Sequence, residues 1–238
     1  MSRIAAIVPA AGLGTRMGAE TPKQFLELDG MPLILFTLRR LAACPAITEF
    51  FISTRADDIV SLQNMVAKSE LGRPARVVHG GDTRQQSVAN ALAQVDPNTE
   101  IVLVHDAVRP FVTPEQIDRV IAEARKRGAA ILGIPAIDTV KEVKRGSLPE
   151  DVALITNTIP RERIVMAQTP QAFTYALLRD AFRAAQNEGA VASDEAVLVE
   201  RFGHEVFVVL GSDRNLKITR PADMNLARFY LEQERSGK

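Results

Sequence analysis

The chain of 238 residues has one cysteine, three histidines, no tryptophan and no excess of either charge, with 29 basic and 29 acidic side chains. A single thiol, Cys44, excludes an internal disulfide and leaves too few ligands for a thiolate zinc site. It follows an apolar helical run and reads as a small buried hydrophobe. A net charge of zero argues against a nucleic-acid partner, because such proteins concentrate basic excess on one face. No run of about 18 apolar residues is present to cross a membrane, and the chain enters its first apolar run at Ile4 without a charged-then-apolar leader. The expectation is a cytoplasmic protein. Repeats and low-complexity segments are also missing.

What is present is an alternation of short apolar runs and amphipathic ones. The runs at 4–8, 50–53, 76–79, 101–105, 130–135, 164–167 and 205–209 read as strands. Those at 32–43, 57–69, 85–95, 114–126, 175–187, 194–201 and 222–234 read as helices, and Pro32, Pro114 and Pro221 each suit a first helical turn. Strand–helix alternation with nearly continuous apolar strands predicts one α/β domain: a Rossmann-like, mostly parallel twisted sheet with helices on both faces. Ligands of such sheets bind at the carboxyl ends of the strands. One segment, 138–163, breaks the alternation with interleaved polar and apolar residues around a Gly146-Ser147 turn. It has too little apolar surface for a core of its own and is expected to be a protruding strand pair packed on a second subunit.

Behind the first strand stands Pro9-Ala10-Ala11-Gly12-Leu13-Gly14-Thr15-Arg16-Met17-Gly18, followed by Pro22-Lys23-Gln24-Phe25. A glycine-rich turn leaving a buried strand brings backbone N–H groups against phosphate oxygens. The spacing is not the dinucleotide fingerprint: its third glycine is displaced by one, and the next strand ends in Thr54-Arg55 without an acid. It is not a Walker A loop either, since no Gly-Lys-Ser/Thr follows. Arg16 and Lys23 add two cations, which offset charge on a triphosphate as it breaks. That is the task of a nucleotidyltransferase.

Further constellations follow the later strands. Gly80-Gly81-Asp82-Thr83-Arg84-Gln85-Gln86-Ser87 offers glycines for close approach, with Asp82, Arg84 and Ser87 as donors and acceptors for a base or ribose; Thr83 reads as a helix N-cap. His105-Asp106-Ala107-Val108-Arg109-Pro110 places an acid suited to Mg²⁺ and an arginine suited to a phosphate at a strand tip. The alternative there is a structural Asp106–Arg109 ion pair, and His105 reads as structural. Ser193-Asp194-Glu195 before an apolar run is a capping pattern. Lys217, between Leu216 and Ile218 in what reads as a short strand leading to a helix, is expected to contact phosphate.

Taken in order, Pro9 to Gly18, Pro22 to Phe25, Gly80 to Ser87, His105 to Pro110, Asp138-Thr139, Thr169-Pro170-Gln171, Asp194-Glu195-Ala196 and Lys217-Ile218-Thr219-Arg220-Pro221 resemble the 2-C-methyl-D-erythritol 4-phosphate cytidylyltransferase family over nearly the whole chain. The resemblance implies transfer of CMP from CTP to methylerythritol phosphate in non-mevalonate isoprenoid synthesis, release of pyrophosphate, Mg²⁺ dependence and a homodimer. It implies that CTP meets Pro9, Ala10, Ala11, Gly12, Gly14, Thr15, Arg16, Lys23, Gly81, Asp82, Arg84, Ser87, Asp106 and Ala107, with Mg²⁺ on Asp106. For the acceptor it implies Asp106, Arg109, Thr139, Arg161, Thr169, Ser193 and Lys217, with Arg161 and Thr169 reaching across the dimer from the partner's arm. Ser193 stands where the family has threonine, so the hydroxyl is kept. Arg16, Lys23 and Lys217 are then the catalytic cations.

The acceptor phosphate, with a second pKa of about 6, is already anionic near neutral pH and can attack the α-phosphorus without a general base. The difficulty is forcing two anions together, which cations and Mg²⁺ relieve. Two alternatives keep the same loop: a ribitol 5-phosphate cytidylyltransferase, and a non-catalytic nucleotide-sensing dimer. The first differs only in its polyol pocket. The second has no need of Lys23, Asp106 and Lys217 as charge stabilisers.

Overall fold

The computed structural model describes residues 2–12, 22–144 and 152–237. Gly14, Thr15 and Arg16, like the Gly146-Ser147 turn, lie outside them. A seven-stranded sheet carries β1 (Ile4–Pro9), β4 (Glu49–Thr54), β5 (Ala75–His79), β6 (Ile101–Val104), β7 (Ala129–Pro135), β10 (Val165–Thr174) and β11 (Phe207–Leu210), in the order β11-β7-β10-β6-β1-β4-β5. β1, β4, β5 and β6 pair in parallel, as do β7 and β11. The sheet is thus mostly parallel, as the alternation implied.

Alternate side chains of each strand feed opposite cores. Ile4, Ala6 and Val8 of β1 face a cluster closed by α1 (Leu33–Ala42), α2 (Ile59–Lys68) and α4 (Pro114–Arg127). Ala5 and Ile7 face one closed by α3 (Arg84–Leu92), α5 (Tyr175–Glu188) and α6 (Glu195–Arg201). Burial of both faces is why the strands are almost unbroken apolar runs. A third cluster joins α7 (Pro221–Arg235) to a small hairpin, β2 (Glu27–Leu28) and β3 (Met31–Pro32), through Leu28, Leu33, Phe111, Ile218 and Leu231. Asp29 and Gly30 turn that hairpin with positive φ at both positions, the two-residue geometry that matches strand twist.

Three expectations change. β10 runs antiparallel to both β6 and β7 and continues to Thr174, seven residues past the predicted end at Ala167. Its Thr169-Pro170 step sits where register shifts between Gln168 and Gln171, a position that tolerates a proline without an N–H to give to the ladder. Lys217 belongs to no strand; it stands in the irregular passage between β11 and α7. Pro32 precedes α1 and is not inside it, whereas Pro114 and Pro221 open α4 and α7 as expected. The predicted arm is a strand pair, β8 (Val140–Val143) with β9 (Ile155–Ile159), forming a separate two-stranded sheet in which no residue is buried.

Candidate active site

The order of the sheet changes direction beside β1, with β4 and β5 to one side and β6 to the other, so a crevice opens at the carboxyl ends of β1 and β6. The backbone ladder continues past the strand ends: Ala10 N donates to Ser53 O at 2.7 Å, Gly80 N to Thr54 O at 2.7 Å and His105 N to Ile7 O at 2.9 Å. Loop residues that follow these strands are therefore held by the sheet itself. Among the described residues they enclose a cavity of about 260 Å³ lined by Pro9 to Gly12, Lys23, Gly81 to Arg84, Ser87, Asp106 to Val108 and Lys217. Every described residue expected to meet CTP lies on this wall.

The glycines of the turn after β5 pack closely against their neighbours. Neither Gly80 nor Gly81 has positive φ. A Cβ on Gly80 would come within 2.8 Å of the Ala11 Cβ, and one on Gly81 within 2.4 Å of the Gln86 Cβ. Their smallness lets the turn close on the first loop and on α3, while Gly81 also lines the cavity. Ser87, fully buried, spends its hydroxyl inside the same turn, accepting from Gly81 N at 3.0 Å and donating to Thr83 O at 2.9 Å. Thr83 caps α3 by accepting from Gln86 N, as expected.

Asp106 is the electrostatic centre. Lys217 Nζ lies 2.9 Å from its Oδ2, and the Nε atoms of Arg84 and Arg109 lie 3.4 Å from Oδ1 and Oδ2. Burial alone would push this carboxyl up; Lys217, Arg84 and Arg109 overcome it and hold the acid well below the usual carboxylate range. Arg84 also binds Glu195 Oε1 at 2.6 Å. Burial raises Glu195, against the pull of that guanidinium. Arg109, itself lowered by burial, donates from Nη1 to Asn215 O at 2.7 Å. The structural ion pair at Asp106–Arg109 is thus formed, and Arg109 turns into the protein.

His105 is structural. Arg109 O can only accept, so Nε2, 3.0 Å away, carries the proton. Nδ1 then accepts from the Thr169 hydroxyl at 3.1 Å, which in turn accepts from Asp106 N at 3.0 Å. Burial lowers the imidazole to about 4, keeping it neutral. This chain also corrects Thr169: it belongs to β10 in the central sheet, not to the arm, and it braces Asp106 from within the same chain.

Thr139, Arg161 and Ser193 are exposed and do not line the cavity. Arg161 sits in a 3₁₀ turn at the base of the arm, donating to Ile137 O at 2.6 Å. Ser193 is tied back indirectly: Gln85 of α3 donates to Ala190 O and accepts from Ala192 N, each at 3.0 Å. Sequence reasoning assigned no part to three buried side chains. Gln24 donates to Ala10 O at 2.7 Å and so fastens the Lys23 turn to the first loop. Glu195 receives Arg84, and Asn215 underlies Lys217. Each lies among other polar residues in the sequence, and only the partner that burial demands marks it out.

A family profile described as IspD, 2-C-methyl-D-erythritol 4-phosphate cytidylyltransferase, matches residues 4–233. The chain belongs to that family. It is 51% identical to the cytidylyltransferase of this name from Acidobacterium capsulatum, over 98% of this chain and 99% of that protein. Among solved structures, the 4-diphosphocytidyl-2C-methyl-D-erythritol synthase from Anaerococcus prevotii superposes with a TM-score of 0.83 at 31% identity, covering 97% of this chain and 99% of that one. The Thermus thermophilus cytidylyltransferase gives 0.77 at 34% identity, with the same coverage. Members of this family are cytidylyltransferases, a class of nucleotidyltransferase.

Proposed function

We propose that the protein transfers CMP from CTP to 2-C-methyl-D-erythritol 4-phosphate, giving 4-diphosphocytidyl-2-C-methyl-D-erythritol and pyrophosphate for isoprenoid synthesis. The observation that carries this is the convergence of Lys217, Arg84 and Arg109 on Asp106 at the wall of a crevice that also presents Lys23 and the Ala10–Gly12 backbone. Such a site suits a polyphosphate and an anionic nucleophile, and it needs no general base. Lys23 and Lys217 stand where charge develops as the α-phosphorus changes partners. Relatives of full matching length carry the methylerythritol name, which favours this acceptor over ribitol 5-phosphate.

The donor set fits Mg²⁺ of one kind. Among the described residues no three metal-ligating side chains gather, but one buried, ionised carboxylate, Asp106, faces the cavity. Mg²⁺ commonly takes one or two carboxylates and completes its shell with water and substrate phosphates. Asp106 would hold it, and the ion would neutralise phosphate charge when bound. Lys217 would then leave Asp106 for phosphate.

The protein is further proposed to act in the cytoplasm as a homodimer joined through the β8–β9 arm. Support comes from Val152 and Leu154, just before β9, and Ile155, its first residue, all more than half exposed beside a two-stranded sheet in which no residue is buried. Among the described residues no helix is long and apolar enough to cross a membrane. In such a dimer Arg161 reaches the partner's acceptor phosphate, with Thr139 and Ser193 at the acceptor's polyol. The test of the main reading is an acceptor panel with CTP and Mg²⁺, following pyrophosphate. Faster release with ribitol 5-phosphate, or equal release with ATP, rejects it. For the arm, Arg161→Ala chains are mixed with Lys23→Ala chains. Activity above the sum of the parents is expected; its absence after confirmed subunit exchange rejects action in trans.

A further inference from the structure

Lys217 lies in a passage without regular structure, so no helix or strand sets where its ammonium points. Two attachments bracket it. On one side Ile218 is fully buried and its N–H donates to Val108 O at 2.9 Å, in the segment that follows Asp106. On the other side stands Asn215, also fully buried. Its Nδ2 donates to Thr169 O at 2.9 Å and to Gln168 Oε1 at 3.2 Å, tying the loop to β10. Gln168 adds a second leg, donating from Nε2 to Ser212 O at 2.9 Å.

From this bracket we infer that Asn215 is a positioning residue for the transfer, acting through Lys217. The inference rests on the proposed role of Lys217 as a stabiliser of transition-state charge. Three features single Asn215 out. It is two residues from Lys217, too close for the loop to absorb a shift. Its two donated bonds end on β10 at Thr169 O and Gln168 Oε1, and the Thr169 hydroxyl braces Asp106, so the same strand locates both the lysine and the carboxylate it pairs with at 2.9 Å. Its Oδ1 is buried with no partner among the described residues, a poor choice for folding alone, so what the position supplies is the pair of donors. Arg109 uses the Asn215 carbonyl, which belongs to the backbone and survives substitution.

The experiment is a double-mutant cycle on the full chain, with CTP, Mg²⁺ and methylerythritol phosphate, comparing Asn215→Ala, Lys217→Ala and the double variant. Misplacing a catalytic group by about 1 Å can cost roughly 10²-fold, so Asn215→Ala is expected to lower kcat about tenfold to a hundredfold while the Kd for CTP stays within about twofold. In the Lys217→Ala background the same change should lower kcat by less than about twofold, because the group it positions is gone. Full loss multiplying in the double variant, or unchanged kcat in folded Asn215→Ala, overturns the inference alone. Unchanged turnover in Lys217→Ala removes the role of Lys217 and the inference with it. If Asn215→Ala does not fold, Gln168→Ala, which removes the outer leg and one Asn215 bond but leaves Asn215 Nδ2 on Thr169 O, takes its place in the same cycle with the same criteria.

Discussion

At the carboxyl end of β6, Arg84, Arg109 and Lys217 converge on Asp106 beside a neutral imidazole, and Asp106, Arg109 and His105 are nearly or wholly buried. On the arm, by contrast, Lys141 of β8 donates to Thr158 of β9 at the surface, while Ile155 and the preceding Leu154 are exposed. The first region takes its order from packed elements: His105, Asp106 and Arg109 follow β6, Arg84 opens α3, and the Lys217 passage is tied to β10 through Asn215. The second has no core to inherit order from. A charge held by core strands keeps a fixed place at some cost in desolvation, whereas an arm without burial must find its energy in something it touches. Polar and apolar groups have in effect exchanged places between the two regions.

Breaking the buried side of this contrast should have the largest effect. Asp106→Ala leaves Arg84, Arg109 and Lys217 facing one another, and removal of one partner of a buried charge pair typically costs about 3–5 kcal/mol; urea unfolding at neutral pH measures it, and a change below about 1 kcal/mol would show the cluster to be solvated. Lys23→Ala and Lys217→Ala should each lower kcat by about 10²–10³ with little change in CTP binding. A raised KM at constant kcat would instead mark ground-state contacts.

A smaller effect is expected from pH. His105 is held near 4 against an ordinary value of 6.5, so the unfolded chain binds its proton first as pH falls. Its contribution of about 3 kcal/mol is therefore present above 6.5, drains as pH falls toward 4 and is flat below that. About 2 kcal/mol should be lost between about pH 7 and about pH 5, and His105→Asn should flatten that part of the profile. An equal slope in the variant would assign the loss to other groups. On the arm, Lys141→Ala should change stability by at most about 0.5 kcal/mol, since its partner is exposed; a larger loss would mean that the arm is ordered by its own polar contacts.

Much of this was legible because local chemistry and global placement agreed. The apolar run of β1, the Thr83 cap and the proline at the start of α4 all act locally, and all stand where the pattern put them. The direction of β10 is different in kind: strand polarity is decided by which neighbours are free, and alternation along Val165–Thr174 is the same read either way. The expected strand ends at Ala167, short of Pro170; proline ordinarily leaves a ladder, and the register shift explains how it stays. The family resemblance alone places Thr169 on the arm, and its bonds with Asp106 and His105 show where it sits. Gln24, Glu195 and Asn215 were hidden because a buried amide or acid looks like a surface one until its partner is seen.

The antiparallel course of β10 has a consequence for how the chain could be altered. β7 and β10 are adjacent in the sheet, Pro135 pairs with Val165, and Ala136 N donates to Ile164 O at 3.1 Å. Everything from there to the tip is an outgrowth of a single long hairpin, inserted between two strands that would otherwise be joined by a tight turn. Such an insertion can lengthen, shorten or vanish without rerouting any crossover of the sheet. Excision of the stretch between Ile137 and Arg163, bridged by an Asn-Gly turn, would separate the catalytic domain from whatever the arm holds. Lineages of this fold are equally free to graft a different attachment at the same seam.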